Sequence, residues 1–116
     1  MTSLELATAI CKALSDKKGK DIVYIDVADK TSLCNYFVLA SGNSSTQVKS
    51  LAETVEEQME KQFELAPTRL DGVRDGRWAV LDYGDVMVHV FDLSAREFYN
   101  MERLWTDGKN LTKYEE

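Results

Sequence analysis

The chain has 116 residues, 44% of them hydrophobic and 29% charged, which supports one hydrophobic core and is too little for two. Fourteen Lys and Arg stand against 20 Asp and Glu, a net charge of −6, so little direct binding to nucleic acid is expected and a basic protein is the better partner. One Pro and six Gly and no apolar run near the roughly 18 residues that span a bilayer argue against a linker and a membrane-spanning helix; with a start (Met1-Thr2-Ser3-Leu4-Glu5) unlike a basic-then-apolar leader, no signal peptide is expected, and the expected location is the cytoplasm.

Thr2-Ser3-Leu4-Glu5 is a capping box, and behind it Leu4, Ala7, Ile10, Cys11 and Leu14 recur at helical spacing. This first helix is expected to stop near Ser15. Ile22 to Val27 is almost continuously apolar and β-branched, the pattern of a strand covered on both faces. Tyr36 to Ala40 is a second such run, ending at Ser41-Gly42. Ser44-Ser45-Thr46-Gln47 opens the longest helix, with Val48, Leu51, Ala52, Val55, Met59 and Phe63 on one face and Glu53, Glu56, Glu57 and Glu60 on the solvated one. A weaker strand includes Thr68-Arg69-Leu70. Trp78 to Tyr83 and Val86 to Phe91 flank Gly84-Asp85 and read as a tight hairpin. Ser94-Ala95-Arg96-Glu97 is a third capping box, followed by Phe98, Met101, Leu104 and Trp105. The order α-β-β-α-β-β-β-α predicts a single α/β (α+β) domain, residues 1–105, with a mixed five-stranded sheet and flanking helices. Residues 106–116 are expected to be a polar, flexible tail.

A two-residue turn at Gly84-Asp85 sets Asp82 against Met87 and Trp78 against Phe91. Alternation then sorts the side chains. Ala79, Leu81, Tyr83, Val86, Val88 and Val90 form an ordinary core face. Trp78, Val80, Asp82, Met87, His89 and Phe91 form the other, mixing aromatics and Met with a carboxylate and an imidazole, as at the centre of a protein–protein interface. The competing reading is a second core layer. It weighs equally for Val80, Met87 and Phe91, whereas Trp78 and Asp82 are expected to be partly exposed.

Enzymatic chemistry finds little support. Two distant cysteines, Cys11 and Cys34, and a single histidine make neither a disulfide framework nor a metal site, and no cofactor is expected. His89 and Asp82 share a face but read as structural side chains rather than an acid–base pair. Ser41-Gly42-Asn43-Ser44-Ser45, between a strand and a helix, could hold a phosphate on backbone amides. A nucleotide-binding or nucleotidyltransferase-type enzyme is therefore the alternative. Such an enzyme needs paired carboxylates, and Asp26, Asp82 and Asp85 lack D-x-D spacing. The simpler reading is that Gly42 turns the chain and Ser44 caps the helix.

Several stretches together resemble one family. They are Asp21 to Val27, Tyr36 to Ser45, Trp78 to Phe91, and Arg96-Glu97-Phe98-Tyr99 with the closing Glu102-Arg103-Leu104-Trp105. The family is the ribosomal silencing factors, also called the Iojap family, and the likeness runs from about Leu4 to Trp105. Asn35 stands where many members have Asp, and Asp71-Gly72 replaces a usual Glu-Gly. The resemblance implies a nucleotidyltransferase-like fold without the catalytic carboxylates. It also implies a non-enzymatic repressor of translation that binds a ribosomal protein on the intersubunit face of the large ribosomal subunit. There it sterically blocks small-subunit joining, and it can aid subunit biogenesis. The mixed hairpin face is the expected contact, with Tyr99 and Trp105 either extending it or packing under the sheet. A homodimer formed through the same face is a further reading.

Overall fold

The structure, a computed structural model, describes residues 1–115. Its elements are α1 (Ser3–Asp16), β1 (Lys20–Asp26), β2 (Tyr36–Gly42), α2 (Ser45–Phe63), β3 (Arg69–Asp71), β4 (Trp78–Asp82), β5 (Val86–Asp92), α3 (Leu93–Tyr99), α4 (Met101–Trp105) and β6 (Leu111–Lys113). The strands make one mixed sheet in the order β3-β4-β5-β2-β1-β6. The two central strands, β2 and β5, run parallel, and the remaining neighbours are antiparallel.

Local chemistry sets the ends of the first two helices. At α1 both capping-box bonds form: the Glu5 amide donates to Thr2 Oγ1 at 3.0 Å, and the Thr2 amide donates to the Glu5 carboxylate at 3.1 Å. Ser44 caps α2 by accepting from the Gln47 amide at 3.1 Å, while Gln47 Oε1 accepts from the Asn43 amide. The apolar stripes of α1 and α2 cover one face of the sheet. Ile10, Leu14, Leu51, Val55 and Met59 pack there on Ala79, Leu81, Val86, Val88 and Val90. Leu4, in the first turn of α1 and expected in its apolar stripe, is exposed. Phe63, in the last turn of α2, is also partly exposed, at 38%. Glu53, Glu57 and Glu60 face solvent and Glu56 is half-buried.

The hairpin has the predicted register, from Trp78 opposite Phe91 to Asp82 opposite Met87. Gly84 takes φ +83°, and the Tyr83 amide donates to the Val86 carbonyl across the turn. The entire predicted core face, Ala79, Leu81, Tyr83, Val86, Val88 and Val90, is buried.

Two expectations fail at the carboxyl end. The last helix is two short ones. Asn100 sits between them in the left-handed region at φ 44°, where Asn is tolerated and ends helices. The break shifts the helical phase: Met101 is buried, while Phe98 and Leu104, read as part of one apolar stripe, are each 74% exposed. The cap is Asp92 rather than Ser94. Its Oδ1 accepts from the Ala95 amide at 2.7 Å and from Ser94 Oγ at 3.0 Å, and its negative charge suits a helix N-terminus.

The sheet also has six strands instead of five. The sixth, β6, comes from the segment read as a flexible tail. It pairs with the otherwise open edge of β1, and Leu111 packs against the second core. Asn110 supports the return by donating from Nδ2 to the carbonyls of Asp26 and Trp105, each at 2.9 Å, and Lys30 meets Asp107 at 3.1 Å.

Candidate functional site

The face of the sheet opposite α1 and α2 is only partly covered. Val23, Ile25, Phe37, Leu39 and Phe91 form a second core under Ala95 of α3 and Met101 of α4. Arg96 ties this layer down. Its Nη1 donates to Ser41 Oγ at 2.9 Å and its Nη2 to the Asp21 carbonyl at 2.8 Å, and both Nε and Nη2 reach Glu102 Oε2. The Arg96 side chain is only 10% exposed. A guanidinium so enclosed needs these charge-assisted bonds, and they fix α3 and α4 to β1 and β2.

All eight residues singled out in the sequence stand on this side, at different depths. Phe91 is fully buried and His89 is 5% exposed, so neither is a surface contact residue; they form the floor. Trp78, Val80, Asp82, Met87 and Trp105 are half-buried, and Tyr99 is exposed. The aromatic side chains interlock. Trp78 stacks on Phe91 at 5.1 Å between ring centroids and lies 4.5 Å from Tyr99. Phe37 meets His89 and Trp105 edge to face, each at 5.2 Å. Trp78 Nε1 donates to His89 Nδ1 at 3.1 Å. Burial pushes the pKa of His89 down to about 4, so the ring is neutral at pH 7.

Asp82 and His89 do not form an acid–base pair. Asp82 Oδ1 accepts from the Gly84 amide at 2.8 Å and closes the hairpin turn. Both cysteines are buried, and burial raises their thiol pKa values, to about 12 for Cys11 and about 11 for Cys34, so neither thiol is a reactive nucleophile. Among the described residues no three His, Cys, Asp or Glu side chains gather as a metal site. None of the described helices is long and apolar enough to cross a membrane.

The Ser41–Ser45 turn carries internal bonds where a phosphate would sit. Ser41 is buried against Arg96, the Asn43 amide is taken by Gln47, and Ser44 caps α2. A Cβ at Gly42 would press on Val48 at 3.1 Å. The turn is a tight strand-to-helix joint. Asn35, the departure noted before β2, donates from Nδ2 to Ser3 Oγ at 2.9 Å, a bond that an ionised Asp could not donate.

Sequence reasoning missed several exposed apolar residues on or near this side. Phe98 packs edge to face on Tyr99 at 5.0 Å and prolongs the aromatic row. Leu33 is 71% exposed beside Cys34, which belongs to the second core. The signal for Phe98 was Asn100, a helix-ending residue inside an apolar period. Leu33 lies in a loop without periodicity and gave no signal.

A family model described as ribosomal silencing factor during starvation matches residues 1–116. The chain is 35% identical to the ribosomal silencing factor of Bacillus subtilis over 105 residues, covering 90% of this chain and 86% of that protein. It is 38% identical to the corresponding factor of Chromobacterium violaceum, covering 90% and 85%. It also resembles the chloroplastic Iojap protein of Zea mays, at 29% identity over 88% of this chain and 44% of that one. Among solved structures, a Chromobacterium violaceum protein superposes with a TM-score of 0.87 at 36% identity, covering 90% of this chain and 87% of that one. A Bacillus halodurans protein does so with a TM-score of 0.78 at 32% identity, covering 96% of each.

Proposed function

The chain belongs to the ribosomal silencing factor family, and from that membership we propose that it silences translation by docking on a protein of the large ribosomal subunit's intersubunit face and physically excluding the small subunit. The mechanism needs occupancy and bulk and no bond-making step, so the protein acts as a repressor in the cytoplasm and not as an enzyme. The observation that carries the docking site is Trp78. It is half-buried and packs on Phe91 and Tyr99, with Val80 next along the strand and the Asp82–Met87 pair farther down the same face. A rigid aromatic anchor within an apolar patch with an acidic rim suits a basic protein surface, and the net charge of −6 steers the approach. Tyr99, Phe98 and Trp105 extend the patch on α3 and α4. Phe91 and His89 support it from below.

Trp78→Ala is expected to weaken cosedimentation with purified large subunits by about 30-fold, the loss usual for truncating a central aromatic anchor, while unfolding stays cooperative. Wild-type affinity in this variant would remove Trp78 from the site. Asp82→Lys is expected to weaken docking further, because it turns a rim carboxylate toward a like-charged partner. Asp82→Asn keeps the turn acceptor for Gly84 and isolates the charge. If docking by Asp82→Asn matched wild type at both low and high salt, the electrostatic part would fall.

A further inference from the structure

Trp78 and His89 are diagonal neighbours in the hairpin. The residue directly opposite His89 is Val80, and the residue opposite Trp78 is Phe91. The indole leans along the sheet to reach the imidazole, a reach open to large side chains across a diagonal pair. An indole N–H only donates, so at 3.1 Å His89 Nδ1 is the acceptor. The imidazole proton then sits on Nε2, which is buried and has no hydrogen-bond partner.

That arrangement carries a cost. Strand alternation and burial would be met better by Phe or Leu, which leave no donor stranded. Histidine is the poorer packing residue here and the better acceptor. Phe91, stacked on the indole, and Tyr99, tilted against it, restrict the plane of the Trp78 ring. Stacking does not choose between the two orientations related by turning the ring over within that plane. The bond to His89 does choose, because it pins the N–H edge to one neighbour.

Resting on the docking reading above, we propose that His89 is a positioning residue: by accepting the Trp78 indole N–H at Nδ1, it holds the anchor ring in the single orientation that meets the partner. The apolar rings around His89, Phe37 at 5.2 Å and Phe91 at 6.2 Å, keep it neutral and therefore able to accept. A consequence concerns the partner. The one polar group of the anchor is satisfied internally, so the partner surface that meets Trp78 is apolar, and no acceptor is required to be aimed at it.

The test compares two variants that packing and positioning rank in opposite order. His89→Phe preserves ring volume and removes the acceptor. His89→Asn places an amide oxygen near the position of Nδ1 but leaves a void. Each is measured by cosedimentation with purified large subunits, by the indole N–H resonance of Trp78, and by urea unfolding to correct for the folded fraction. Trp78→Phe assigns the resonance. His89→Phe is expected to stay folded, to move the indole resonance, and to weaken docking about fivefold. His89→Asn, although less stable, is expected to bring both resonance and docking back toward wild type in its folded fraction. Wild-type docking by His89→Phe, or weakened docking by folded His89→Asn with a wild-type resonance, would overturn the proposal and leave the docking reading standing. No cosedimentation of the wild type would sink the docking reading and this proposal together.

Discussion

Gly72→Ala is expected to destabilise the protein by about 2–5 kcal/mol, a large share of the stability of a domain of this size. Two costs add. Gly72 has φ +77°, a region where any residue with a Cβ is strained, and an Ala side chain there would run into the carbonyl oxygen of Trp78. That oxygen is backbone at the start of β4, so the clash cannot be relieved by a rotamer change. Gly84→Ala is the matched control: its φ is +83°, but a Cβ would meet nothing within 4 Å. It should pay the conformational cost alone, about 1–2 kcal/mol. Urea unfolding of both variants separates the terms. Equal losses would show that the approach of Gly72 to Trp78 is slack. Because the clash falls on Trp78, Gly72→Ala should also perturb the fluorescence of that residue and its docking.

Acid should destabilise the fold through His89. In the unfolded chain an imidazole titrates near 6.5, whereas burial lowers the folded value to about 4. Above pH 6.5 both states are neutral and His89 leaves stability unchanged with pH. As pH falls below 6.5 the unfolded chain takes up the proton first, and stability drops until the folded protein also protonates near pH 4. The full loss is about 3 kcal/mol. Carboxylates held low by hydrogen bonds, such as Glu5 at the α1 cap and Asp107 beside Lys30, lose stability in the same direction at lower pH. The informative quantity is therefore the difference between wild type and His89→Phe, measured by urea unfolding from pH 7.5 to 4. The wild type should lose stability faster over that window. Parallel curves would mean that the folded protein accommodates the charged imidazole. Protonation also removes the lone pair that receives the Trp78 N–H, so the indole resonance should move over the folded transition near pH 4.

The hairpin was legible because its information is local. A Gly-Asp turn sets the register, and strict alternation then assigns every side chain to a face. The contact from Trp78 to Phe91 follows from counting outward from Gly84. The α1 cap was legible for the same reason, since Thr2 and Glu5 complete each other within one turn. Asn100 shows the limit of this reading. Four apolar residues at helical spacing predicted one helix, but a single left-handed residue reset the phase and turned Phe98 and Leu104 outward. Residues 107–114 show another limit. Their polarity predicts fraying in isolation, but the open edge of β1 and the pocket for Leu111 are made by residues far earlier in the chain.

Sequence alone determined the class of the domain, the two faces of the hairpin and the family, because these depend on periodicity, on turn chemistry and on runs of particular residues. It could not rank the mixed face by depth. Whether Phe91, His89 and Trp78 lie beneath the surface or on it depends on where α3 and α4 settle, and that is decided by Arg96 reaching Ser41, Asp21 and Glu102 across the fold. Only the tertiary structure could therefore separate Trp78, which stays partly exposed, from His89 and Phe91, which are buried beside it.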